Sequence, residues 1–116
     1  MSFLRRKGKI IYKNGDIYNG DLNPESLSPE GEGKLNYYDS DKDYYDGAWK
    51  HGFINGYGRM LWKNGSQYIG DFLQGARTGR GVFIDSDGKR YQGNWVNGML
   101  HGDCETSERI YYEFGH

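Results

Sequence analysis

A chain of 116 residues with a formal net charge of −1 has the length of one domain and gives no electrostatic reason to expect nucleic acid. Only 35 % of residues are hydrophobic and mean hydropathy is −0.94, yet aromatics reach 16 % with eleven tyrosines. This makes disorder a poor explanation and suits a thin, single-layer fold better than a globule with a thick core. Cys104 is the single cysteine, so no disulfide can close within the chain. No apolar run approaches a membrane span, and the first residues lack the apolar core of a signal peptide and the glycine of a myristoylation site. The expectation is a cytoplasmic chain.

In chain order, the first feature is basic: Arg5, Arg6 and Lys7, with Lys9 and Lys13, beside Phe3 and Leu4. Such a short run reads first as a solvated edge that discourages strand addition. The alternative is contact with anionic lipid, which attracts each nearby Lys or Arg by about 1 kcal/mol.

Repeats then begin. A half repeat at 8–17 carries Gly8, Ile10 and Tyr12 in alternation, ending at Asn14-Gly15. Tyr18 opens Y-N-G-D-L, Tyr45 Y-D-G-A-W, Tyr68 Y-I-G-D-F and Tyr91 Y-Q-G-N-W, the last three 23 residues apart. The full copies are 18–44, 45–67, 68–90 and 91–113. Counting each opening tyrosine as offset 0, glycines recur at offsets 2, 7, 11, 13 and 20. With two extra residues in the first copy's loop, 18 of the 19 glycines fall in register.

Offsets 0, 2 and 4 alternate, so Tyr45, Gly47 and Trp49 share one face of a strand. Gly58, Met60 and Trp62 form the partner strand. Each repeat is thus a pair of short strands. The structural glycines Gly20, Gly47, Gly58, Gly70, Gly81 and Gly93 share the face of the large rings, so neighbouring rings are expected to lie over bare backbone. Asn14-Gly15, Asn64-Gly65 and Asp87-Gly88 are expected to link repeats through type I′ turns. Gly52 and Gly56 are expected to shape the loop inside a repeat. Nine or ten stacked strands give a rod of roughly 45 Å.

The phrase Y-x-G-x-W-x-x-G-x-x-x-G-x-G on this period resembles the MORN repeat family over roughly residues 8 to 102. It departs at Leu22 and Glu25, where the family prefers an aromatic and a glycine, and at Cys104, which stands at offset 13. The resemblance implies an all-β fold: an elongated, single-layer, twisted antiparallel sheet of repeated β-hairpins, a solenoid with an aromatic-lined groove. It also implies a scaffold or adaptor in cytoskeletal, ciliary or membrane-associated assemblies. Solenoids need capped ends, and Phe3-Leu4 and the divergent stretch at about 103–116 are the candidates.

Catalytic and metal motifs read weakly. Asp39, Asp41 and Asp43 are spaced like an EF-hand loop, but Tyr44 and Lys50 stand where glycine and glutamate belong, so an enlarged hairpin turn is the better reading. His101 and Cys104 make at most half a metal site. No nucleophile motif or phosphate loop is present. The expectation is no enzyme, no cofactor and no metal.

Charge is banded: residues 1–16 carry net +4, 17–48 net −6, 49–102 net +4 and 103–116 net −3. In a rod these bands give a partner a register, or set how two copies pair. The expected partner-binding groove comprises Tyr18, Tyr45, Trp49, Trp62, Tyr68, Phe72, Tyr91 and Trp95, each of which also reads as core. Three functions compete: a protein-binding scaffold, an anionic-lipid adaptor using Arg5, Arg6 and Lys7, and a regulatory subunit of a separately encoded enzyme.

Overall fold

The computed structural model describes residues 6–106 and 111–114. Expectations placed on Phe3, Leu4 and Arg5, and on the side chains of His101 and Cys104, fall outside what is described. Ten strands follow one another: β1 (Arg6–Ile11), β2 (Ile17–Leu22), β3 (Pro29–Asn36), β4 (Lys42–Lys50), β5 (Phe53–Trp62), β6 (Gln67–Leu73), β7 (Ala76–Ile84), β8 (Arg90–Val96), β9 (Met99–Thr106) and β10 (Tyr111–Phe114). They pair antiparallel in chain order in one open sheet. The described residues contain no helix. The body measures 49 × 32 × 20 Å, a little longer than the rod expected from strand spacing.

Register explains the glycine columns. Gly8, Gly20, Gly33, Gly47, Gly58, Gly70, Gly81 and Gly93 face one another strand by strand, a bare row crossing β1 to β8. Beside it runs a second row on the same face: Ile10, Tyr18, Leu35, Tyr45, Met60, Tyr68, Phe83 and Tyr91. Large side chains therefore stand next to a trough with no side chains, into which their far ends can bend. A single layer buries its rings this way without a covering layer.

Turn chemistry differs from expectation. The repeat-linking turns are three-residue loops: Tyr12 N–H donates to Asp16 O at 2.9 Å and Gly15 N–H to Tyr12 O at 2.9 Å. The Trp62–Ser66 and Asp85–Lys89 turns repeat this pattern. Only the glycine has positive φ (98° at Gly15, 93° at Gly65), so these are type I turns closed by a left-handed glycine. Asn14 and Asn64 serve through their side chains instead, each Oδ1 accepting the N–H two residues on. The type I′ turns lie inside the repeats, at His51-Gly52, Gln74-Gly75 and Asn97-Gly98, where both residues have positive φ and the flanking residues pair directly.

Gly56 is likewise not a loop residue. It sits within β5 (φ 105°), where three residues of β5 face Ala48 alone on β4. Equivalent irregularities interrupt β2–β3, β6–β7 and β8–β9. A bulge of this kind raises local twist, so the offset-11 glycines supply the twist expected of the sheet. Successive hairpin tips are also tied together: Gly52, Gly75 and Gly98 donate their N–H groups to Pro29, Ile54 and Arg77 carbonyls, each at 2.9 Å.

Candidate functional site

Strand alternation gives the sheet a ring face and an open face. On the ring face, six rings make a continuous edge-to-face series: Tyr18–Trp49 (5.1 Å), Trp49–Tyr45 (5.4 Å), Tyr45–Phe72 (5.1 Å), Phe72–Tyr68 (5.1 Å) and Tyr68–Trp95 (5.3 Å). Interplanar angles of 80–86° place ring edges on ring faces, the arrangement favoured by the aromatic quadrupole. Tyr18, Tyr45 and Tyr68 have no exposed surface.

The polar ends of these rings are satisfied by backbone. Tyr18, Tyr45 and Tyr68 hydroxyls donate to the carbonyls of Asp21 (2.6 Å), Ala48 (2.9 Å) and Asp71 (3.1 Å), three residues on in each case. Trp49 Nε1 donates to Gly33 O at 2.9 Å and Trp95 Nε1 to Gly81 O at 3.0 Å. The offset-4 indole thus reaches the glycine row of the preceding strand. Burial pushes the Tyr18 and Tyr68 phenols up to about 12, aided by the nearby Asp21 and Asp71 carboxylates; Tyr45 rises further for the same leading reason.

Of the eight rings expected to line a groove, Tyr18, Tyr45, Trp49, Tyr68, Phe72 and Trp95 are therefore buried in this series. Trp62 and Tyr91 keep partial exposure. Trp62 packs edge-on against Phe83 at 5.8 Å, and Phe83 lies 6.4 Å from Tyr91. Arg77, which sequence reasoning passed over, spans this end. Its guanidinium lies 4.9 Å from the Trp95 ring and 5.8 Å from Trp62, and its Nη2 donates to Gly98 O at 2.6 Å. Burial holds its pKa below the usual arginine value, with the Tyr68 phenol acting in the opposite direction. The available signal was its column: offset 9 holds Ile54 and Leu100 in neighbouring repeats.

The open face carries the hollows. One, of about 430 Å³, has Ile69, Val82 and Ile84 beside the bare Gly70 and Gly81 backbone, Tyr57 as a wall, and Arg80 and Arg90 at its margin. A neighbouring hollow of about 280 Å³ shares Tyr57 and Ile69 and is bordered by Glu32, Asp46 and Arg59. Tyr57 is 66 % exposed, high for a tyrosine standing on a sheet. None of the eight expected ring residues lines either hollow. Along the hairpin-tip margin, Phe53, Leu73, Val96 and Met99 are also about half exposed or more.

The basic start is partly engaged: Lys7 Nζ lies 2.7 Å from Asp21 Oδ1, with Arg6 exposed beside it. Asp39–Asp43 spans the β3–β4 hairpin, where Ser40 Oγ accepts the Lys42 N–H at 2.9 Å. Among the described residues no three acidic, histidine or cysteine side chains are grouped as a metal would need.

Comparison with protein families matches the MORN repeat at residues 45–67, 68–90 and 91–102, half of the chain. These stretches hold most of β4, all of β5 to β8 and the start of β9, the part in which tyrosine, glycine and indole or phenyl columns are most regular.

Proposed function

The chain belongs to the MORN repeat family, whose repeats generally bind protein or lipid, and from that premise we propose a non-catalytic scaffold or adaptor that docks a protein partner on its open face. Its setting in this reading is a cytoskeletal, ciliary or membrane-associated assembly. One observation carries the placement: the ring face spends its aromatic surface and its ring donors on the sheet itself, while the open face leaves Tyr57 66 % exposed over an apolar hollow. An exposed aromatic beside an apolar concavity is the usual form of a protein-contact anchor.

Chemical cross-linking of the chain to a purified binding partner, with Tyr57→Ser and Val82→Ser against Trp62→Ala and Tyr91→Ala, tests the placement. Loss of binding in the first pair with the fold retained is the expected result. Loss in the second pair alone moves the contact to the ring face. The lipid reading has less support, because Lys7 already faces a carboxylate. Co-sedimentation with anionic vesicles that is lost on neutralising Arg6 and Lys7 would favour it instead.

A further inference from the structure

We propose that the open-face hollow selects an extended partner segment of the pattern acid–x–apolar–x–acid, laid along the strand direction over β6 and β7. This deepens the protein-binding reading and rests on it.

The geometry comes from the strands themselves. Arg80 and Ile84 bracket Val82 on β7, at alternate positions of one face, and Arg90 of β8 stands opposite Ile84. With a rise of about 3.3 Å per residue, Arg80 and the Ile84–Arg90 pair are separated by about 13 Å along the strands. Between them lie Val82 and Ile69, which face each other across β6–β7 and are only partly covered. An extended peptide presents alternate side chains downward on the same rise. Residues i, i+2 and i+4 therefore span the same about 13 Å, with the middle one over the apolar floor.

Charge selects the outer two. Among the described residues neither Arg80 nor Arg90 enters an ion pair, and both are exposed. Their cross-strand neighbours are Asn94 and Ile84, neither of which is a carboxylate. By contrast Asp46, at the adjoining hollow, sits between Lys34 and Arg59 on the flanking strands. On the β6 side the Asp71 carboxylate stands against Gly79, next to Arg80, without forming an ion pair with it. Arg80 and Arg90 are thus cations at the larger hollow that no described carboxylate pairs. Arginine favours a planar carboxylate that it can grip with two donors. Tyr57 closes one side of the hollow and limits the middle residue to a branched aliphatic or similar side chain.

The test uses the full chain and a fluorescein-labelled Gly-Glu-Thr-Leu-Thr-Glu-Gly peptide, read by fluorescence anisotropy. Binding is expected to weaken about tenfold in Arg80→Glu and in Arg90→Glu, and to fall with added salt. Serine in place of the central leucine, or the two glutamates placed side by side, is expected to abolish it. The double variant Arg80→Glu/Arg90→Glu is expected to accept the peptide with lysine in place of both glutamates, a gain that misfolding cannot produce. Equal binding of the rearranged peptide, or no binding at all by the folded wild-type chain, overturns the proposal. A selection from random displayed peptides separates the two levels. Enrichment of another pattern that Tyr57→Ser abolishes keeps protein binding and overturns this motif. Enrichment of nothing, with phosphatidylserine vesicles bound through the same arginines, overturns both.

Discussion

The Tyr45 ring lies on the bare backbone of Gly58, so close that a Cβ added at Gly58 would stand 2.5 Å from the ring's Cε1 and Cζ. The same arrangement joins Tyr18 to Gly33 and Tyr68 to Gly81. Glycine in a strand forgoes side-chain packing and costs about 0.5–1 kcal/mol relative to alanine. Here it admits a tyrosine with no exposed surface, and full burial of a large side chain is worth roughly 1.5–3 kcal/mol. The exchange favours the fold at each repeat.

The indole column supplies one prediction. Trp49 fills offset 4 and donates to Gly33 O at 2.9 Å, whereas Phe72 fills the same column with no such donor. Trp49→Phe should therefore keep the edge-to-face contacts and lose about 1 kcal/mol, the net worth of a hydrogen bond. Trp49→Ala should lose about 3–5 kcal/mol by opening a cavity between Tyr18 and Tyr45. Urea denaturation of both variants measures the difference.

Alkaline pH should unfold the chain through its phenols. Tyr18, Tyr37 and Tyr68 are pushed up to about 12, chiefly by burial, against an ordinary value of 10.0. The folded state therefore holds these protons more tightly than the unfolded state. Stability from this source is complete below pH 10 and is lost as pH rises toward 12. Phenolate absorbance and circular dichroism, followed together, should show the buried class ionising with loss of the sheet. Full ionisation with the sheet intact would contradict this.

The repeat period, the pairing of strands and the sharing of one face by tyrosine and glycine were legible because they rest on alternation, which register cannot evade. Turn types were not. Asn64-Gly65 satisfies both a two-residue type I′ loop and a three-residue loop ending in a left-handed glycine, and only the point where strand pairing stops decides between them. Gln74 gives no turn signal, yet takes φ 48° because Leu73 pairs with Ala76 across it. The open face was hidden for a related reason. Tyr57 and Arg80 occupy a column that changes from copy to copy, so periodicity carries no information there.

The left-handed turn position at Gln74 can be relieved of strain. Gln74 is a long side chain in the left-handed region, a conformation that asparagine tolerates better. Gln74→Asn should raise stability by about 0.5 kcal/mol, a gain of the size found when residue and backbone conformation are matched. A shift of the thermal midpoint upward, with binding unchanged, checks it.

A double-mutant cycle on Tyr45 and Gly58 addresses the central relationship most directly. Gly58→Ala in the native background should cost at least about 2 kcal/mol, because the added methyl meets a buried ring that cannot retreat. With Tyr45→Leu in place that ring is gone, and the same methyl should cost about 0.5 kcal/mol or less, giving a coupling well above the few tenths seen between independent sites. Equal costs for Gly58→Ala in the two backgrounds, measured by urea denaturation, would contradict the claim that ring over glycine holds this single-layer sheet together.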